Sequence, residues 1–225
     1  MKLRTKEITG LAMVSAIAYA VMLMGFRFMP SALFLKYEAK DVILTIGGFI
    51  YGPFGALAAS LVVALAEMLT ISETGPIGFL MNFLAAASFA GIASLIYAKL
   101  RTAKGAILGL AAGSLALSAV MLLWNYIITP IYMNVPRPVV VSMLLPVFLP
   151  FNLIKSGLNA AFVLLIYKPL MTALRAARLL PDKVQPDPSR KAETKALIKL
   201  NAGLYIFAAV LLVGCAVAIY YIRTK

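Results

Sequence analysis

A chain of 225 residues that is 63% hydrophobic, with mean hydropathy +0.96, is too apolar for a soluble domain, which runs closer to half apolar. Its formal charge of +13 comes from Lys and Arg set between apolar blocks, without the aromatic–basic interleaving of an RNA-binding surface, so nucleic acid is excluded as a partner. With no His and a single Cys, the chain has no His general base, no catalytic triad built on His, no His or Cys metal site and no internal disulfide.

The apolar residues come in long blocks. Residues 8–26, 74–98, 105–136 and 200–222 contain no Asp, Glu, Lys or Arg. About 20 apolar residues cross the hydrocarbon core as a helix. The period-2 alternation of a membrane barrel is absent. These features predict an all-α polytopic membrane protein.

In chain order, the first span is expected over residues 7–26. Basic residues precede it as in a signal peptide, but no cleavage site follows, so the run reads as a retained span. The polar-aromatic segment RFMPSALFLKYEAKD comes next. VILTIGGFIYGPFGALAASLVVALA is then 25 uncharged residues interrupted by Gly52-Pro53. Proline ends or kinks a helix, so this stretch is either one broken span or a hairpin of two short helices. Further spans are expected near 75–98, 104–130 and 143–170, the last after the loop MNVPRP. A polar linker, RLLPDKVQPDPSRKAETK, leads to a final span at 200–222. The chain thus divides into a transmembrane core over 1–178, a cytoplasmic linker over 179–199 and an additional C-terminal helix in 200–225.

Charge counting does not choose between the two readings of the broken stretch. With a hairpin and the N-terminus inside, 14 basic residues lie inside: Lys2, Arg4, Lys6, Lys99, Arg101, Lys104 and eight from Lys168 to Lys199. Six lie outside: Arg27, Lys36, Lys40, Arg137, Arg223 and Lys225. The opposite orientation with one broken span gives the same split. The basic N-terminus favours the hairpin, because the first helix usually dominates orientation.

Two small-residue stripes stand out. Ala12, Ala16 and Ala20 share one face of the first helix, and Gly105, Gly109 and Gly113 share a face of a later one. Such stripes let helix backbones approach closely in lipid. The glycine stripe reads as packing inside the bundle.

Enzyme signatures are scarce. The acids number eight, three of them in or beside the linker, and no GxxxxGK[ST] phosphate loop occurs. Energy from ATP therefore has to come from another subunit. What remains is a thin set of polar groups in apolar surroundings: Asn82 in GPIGFLMNFLA, Asn125 in LLWNYIITPIY, and Asn152 with Lys155 in PFNLIK. A charge at the bilayer centre costs about 2.5–3.5 kcal/mol on insertion scales. Either Lys155 snorkels to a headgroup, or it serves a site. Asn152 and Lys155, at i and i+3, share a helix face. Carboxamides offer donor and acceptor to the imide or amide edge of a planar heterocycle, and lysine adds a strong donor. Trp124, Tyr126, Phe148 and Phe151 flank these positions as candidate flat walls. Lysine is no metal ligand at neutral pH and no acid cluster accompanies Lys155, so no metal site is expected, and the lack of a paired acid–base relay inside the spans speaks against proton coupling.

The segments FLKYEAKDV, GGFIYGPFGA, TGPIGFLMNF, NYIITPIY and PFNLIK, in this order over residues 5–175, resemble the riboflavin-specific substrate-binding (S) subunit of energy-coupling-factor vitamin transporters. The resemblance implies a six-helix core with both ends in the cytoplasm, multi-pass in the plasma membrane, which favours the hairpin. It implies a non-enzymatic, high-affinity riboflavin-binding subunit for uptake, with no cofactor. Its partners would be a transmembrane coupling subunit and two ATPase subunits. Carried over by motif, the binding residues are Leu35 and Tyr37 in FLKY, Gly78 and Asn82 near the ribityl chain, Asn125, and Asn152 with Lys155. The Ala12/Ala16/Ala20 face would dock on the coupling subunit. The chain departs from the family pattern on the ribityl side: AEMLT, with Glu67, replaces a Lys-Asn pair, GFLMN lacks an acid, and LKYEAKDV stands for LKYDFSDI. The seventh helix lies outside the usual core. The alternatives are an S subunit for another vitamin or precursor, and a stand-alone secondary transporter.

Overall fold

The computed structural model describes the backbone of residues 5–72, 74–176 and 194–224, and their side chains except at 103, 168, 171–176 and 194–202. Seven helices run through these residues: α1 Thr5–Leu23, α2 Lys40–Tyr51, α3 Pro53–Thr70, α4 Gly75–Leu100, α5 Ala103–Met133, α6 from Arg137 to Ala176, and α7 Thr194–Thr224. All but α2 are long and apolar enough to cross a membrane. The all-α class and the membrane-spanning character read from the sequence hold.

The stretch broken by Gly52-Pro53 is a hairpin. Gly52 sits at φ 88°, in the left-handed region that glycine enters without a Cβ penalty. Pro53 then opens α3 at its first position, where its missing N–H is no loss. The two helices fold back on each other, because Lys40, the first residue of α2, reaches Glu67 near the end of α3 with Nζ 2.5 Å from Oε2. At 12 residues α2 is about 18 Å long, short of a full crossing. The segment 24–39 connects α1 to α2. It closes on itself through backbone hydrogen bonds between Phe26 and Tyr37, at 3.0 and 2.8 Å.

Helix packing follows the small residues. On α5, a Cβ at Gly109 would stand 2.6 Å from the Ala93 carbonyl oxygen, and one at Gly113 equally close to the Phe89 carbonyl oxygen. The glycine stripe is therefore the α4–α5 seam, inside the bundle as expected. In α4 the same region widens into a π turn over Ala87–Gly91. Around this seam lies the main core, with Val42, Ile46 and Phe49 of α2, Phe89 of α4, Leu110 and Leu117 of α5 and Val163 of α6. The alanine stripe differs. α1 buries Leu11, Ser15, Ala18 and Met22, while Ala12, Ala16 and Ala20 are exposed on another face.

The sixth helix starts earlier than the expected 143. Pro136 precedes it and Pro138 sits in its first turn, as proline prefers. A π turn at Leu144–Phe148 contains Pro146, whose missing N–H interrupts the regular ladder. The linker up to residue 193 lies outside the described residues. Helix α7 begins at Thr194, ahead of the expected 200, and runs back along α6. Its Cys215 lies against Gly157, where an added Cβ would come within 3.0 Å of the sulfur. Cys215 also joins a cluster with Phe28, Met29, Ala32 and Tyr37 of the 24–39 loop and Phe151 of α6.

Candidate ligand site

The site lies at one end of the bundle. It comprises the 24–39 loop, the start of α2, the end of α3, the start of α4, the end of α5 and the first half of α6. Every binding residue expected from the sequence belongs to these elements.

Lys155 does not snorkel. It is 7% exposed, and its ammonium lies 3.7 Å from Oδ2 of Asp41, in the first turn of α2. Asp41 is 1% exposed. The sequence named no ion partner for Lys155; the structure supplies one, from a helix more than a hundred positions away in sequence, which linear inspection does not reveal. One turn beyond Lys155, the buried Asn159 donates from Nδ2 to Asp41 Oδ2 at 3.4 Å and accepts from the Tyr37 hydroxyl at 3.0 Å. Tyr37, Asn159, Asp41 and Lys155 thus form one chain of polar contacts from the loop into the bundle.

A second ionic group sits beside the first. Lys40, 2% exposed, lies between Glu38 Oε2 at 2.8 Å and Glu67 Oε2 at 2.5 Å. The other oxygen of Glu67 accepts from Asn82 Nδ2 at 2.6 Å. Lys36, at the rim, reaches Glu38 at 3.5 Å. Lys40, counted among the basic residues on the outer side, is buried there between the 24–39 loop and the end of α3. Burial pushes the Glu38 carboxyl up, but the charges of Lys40, Lys155 and Lys36 more than offset this and hold it below the ordinary glutamate range. Burial, with the negative charge of Asp41, raises the Tyr37 hydroxyl well above its ordinary value, so it stays a donor at neutral pH.

Asn152 and Asn125 are buried at 5% and 7% exposure. Each donates from Nδ2 to the carbonyl four residues back on its own helix, Asn152 to Phe148 at 2.8 Å and Asn125 to Met121 at 2.7 Å. Thr129 donates to Asn125 Oδ1 at 2.8 Å. Leu35 is half-buried against the Phe28–Phe151 cluster. Gly78 is buried one turn before Asn82, where a Cβ would collide with the Thr74 side chain.

Of the expected flat walls, Phe148 and Phe151 are buried, and Phe151 stacks on Phe28 with centroids 5.2 Å apart. Trp124 is half-buried against the main core. Tyr126 is not a wall. It faces outward, 40% exposed, with the Arg137 guanidinium 5.2 Å above its ring. Two apolar clefts, of about 310 and 240 Å³, lie along α7 between it and α6 and α5, and none of the expected binding residues lines them.

The residues that sequence reasoning missed are Glu38, Asp41 and Asn159. Asn159 had a signal, since Asn152, Lys155 and Asn159 fall at i, i+3 and i+7 on one helix face. Asp41 had none, because its partners Lys155 and Asn159 are distant in sequence, whereas Glu38 had its partners Lys36 and Lys40 two residues to either side.

With this geometry in hand, comparison with known proteins is decisive. Residues 6–167 match the sequence model described as "ECF transporter, substrate-specific component". The chain belongs to this family. The riboflavin transporter FmnP of Bacillus subtilis (strain 168) is 29% identical over 189 residues, covering 79% of this chain and 100% of that protein. The riboflavin transporter RibU of Staphylococcus aureus (strain TCH60) is 30% identical over 184 residues, covering 76% of this chain and 94% of that one. A solved S component of a bacterial ECF transporter superposes with TM-score 0.65 at 30% identity, covering 77% of this chain and 99% of that one. The chain is thus a multi-pass membrane protein of a transporter-component family, not of an enzyme family. The family match ends before α7, so this S component carries one helix beyond the matched region.

Proposed function

We propose that this S component captures riboflavin with high affinity from outside the plasma membrane. It then delivers the vitamin inward together with a transmembrane coupling subunit and two ATPase subunits. The observation that carries the reading is the buried ammonium of Lys155, on one helix face with Asn152, at the end of the bundle that also holds Asn125. Relatives at 28–30% identity are riboflavin transporters, which supports the cargo assignment.

The chemistry suits a flavin. The isoalloxazine ring is flat, apolar over most of its area and polar along one edge of alternating carbonyl and N–H groups. Lysine donates to a carbonyl; carboxamides match both kinds of group. Asn125 and Asn152 each spend one Nδ2 hydrogen on their own helix, which leaves the second N–H of each carboxamide for the cargo. On the ribityl side, Glu67 and Asn82 offer acceptors for hydroxyl donors, beside Gly78 and the backbone of the α4 start. Leu35 and Tyr37 close the site from the loop. Ala12, Ala16 and Ala20 form the docking face for the coupling subunit: they lie on the broad exposed side of α1 beside Met13 and Ile17, where small residues let a partner helix approach closely.

Uptake tests the reading. Cells unable to make or import riboflavin, given this chain together with a coupling subunit and its two ATPases, should accumulate labelled riboflavin, and the same cells given the chain alone should not. Equal accumulation from the chain alone would make it a stand-alone secondary transporter and overturn the proposal.

A further inference from the structure

Asp41 is buried, and one of its oxygens, Oδ1, has no hydrogen-bond partner. Its other oxygen holds two groups, Asn159 at 3.4 Å and Lys155 at 3.7 Å. A buried carboxylate costs several kcal/mol to desolvate unless it is paired, so its place at the start of α2 calls for a reason. The reason is geometric. Lys155 stands at the cargo-facing end of α6 on a long, flexible stem, and a lysine ammonium is a point charge whose direction is set by its acceptors rather than by its own shape. In this structure its ion partner is Asp41, and Asp41 is in turn fixed by Asn159, whose carboxamide is oriented by the Tyr37 hydroxyl at 3.0 Å.

We infer that Asp41 and Asn159 are positioning residues: the relay Tyr37–Asn159–Asp41 aims the Lys155 ammonium at the cargo. This rests on the reading of Lys155 as a flavin contact and goes beyond it, since it moves the Tyr37 hydroxyl from cargo to relay. The carboxamide of Asn159 passes orientation in one sense, accepting at Oδ1 from the loop and donating at Nδ2 to Asp41. Other charged groups facing this cluster are Glu38 from the loop, Lys40 of α2 and Glu67 of α3. They are committed to one another through the Lys40 bridges and do not replace Asp41 at 3.7 Å from Lys155.

The test is a double-mutant cycle on the purified full chain in detergent, read by quenching of riboflavin fluorescence and by the visible absorption spectrum of bound riboflavin. Asp41→Asn should weaken binding about 10- to 100-fold, the range of a charge-assisted hydrogen bond lost or misdirected. In a Lys155→Met chain, adding Asp41→Asn should cost less than about 3-fold, because the group it aims is gone. The bound-flavin spectrum of Asp41→Asn should match that of Lys155→Met rather than that of the unaltered chain. Asp41→Asn leaves a buried ammonium unpaired and can fail to fold. Asn159→Ala removes no charge; it should weaken binding about 3- to 10-fold and likewise become silent with Lys155→Met. Losses that add in the double variants, or a spectrum unchanged in Asp41→Asn and Asn159→Ala, overturn the relay. If Lys155→Met itself binds riboflavin as tightly as the unaltered chain, the site reading fails as well. If Lys155→Met is impaired and both Asp41→Asn and Asn159→Ala are not, only the relay fails.

Discussion

Replacing Lys40 with Met isolates what the outer ion cluster does for the fold. The ammonium is 3% exposed at the side chain and bridges Glu38 of the loop to Glu67 of α3, at 2.8 and 2.5 Å. Methionine keeps the volume and removes the charge, leaving two carboxylates at the mouth of the α2–α3 hairpin without their common cation. Breaking a buried pair from one side costs about 3–5 kcal/mol, because the remaining charge stays desolvated. At about 2–4 °C per kcal/mol for a chain of this size, Lys40→Met should melt about 10 °C lower in detergent, followed by Trp124 fluorescence. Adding Glu67→Gln should recover part of the loss, since it neutralises one stranded carboxylate while keeping an acceptor for Asn82. The pH dependence has a definite sign. Glu38 is held below the ordinary glutamate value in the folded chain, so its stabilising contribution is full above about pH 4.5 and fades as pH falls through its folded pKa. Lys40→Met removes most of that contribution, so the gap between the two chains should narrow on acidification. A Lys40→Met chain that melts with the unaltered one at pH 7, or a gap that widens in acid, refutes the reasoning.

Three further outcomes follow from the packing. Ala16→Trp, on the exposed α1 face proposed to dock on the coupling subunit, should leave riboflavin binding to the isolated chain within about 2-fold and abolish copurification of the coupling subunit. Gly113→Val places a branched side chain where even a Cβ meets the Phe89 carbonyl oxygen at 2.6 Å, so it should force α4 and α5 apart and sharply lower the yield of monodisperse protein on size exclusion. Gly157→Leu should push α7 off α6, and the buried Cys215, the chain's single cysteine, should then react with a maleimide faster than in the unaltered chain.

Much of the fold was legible because lipid imposes one rule: backbone polar groups must pair within the element, and apolar length then marks each span. Gly52-Pro53 marked the hairpin, yet composition and charge could not separate it from a broken span. The antiparallel contact of Lys40 with Glu67 does. The glycine stripe announced a close seam but not its partner, which is the backbone of α4. Lys155 announced itself as a buried cation; its counter-ion did not, because a tertiary ion pair leaves no mark at short sequence separation. Tyr126 shows the opposite failure. It neighbours Asn125 in sequence, and adjacent residues on a helix point about 100° apart, so it faces Arg137 outside instead of the site.

The central claim is that a lysine lies among apolar helices because it meets a flat, polar-edged guest there. Titrating riboflavin into the purified chain and into Lys155→Met in detergent, by fluorescence quenching, tests it most directly. The account predicts a dissociation constant below about 1 μM, equivalent to about −8 kcal/mol, for the unaltered chain and binding about 10- to 100-fold weaker for the variant. No quenching at micromolar riboflavin, or two superimposable titrations, would contradict it.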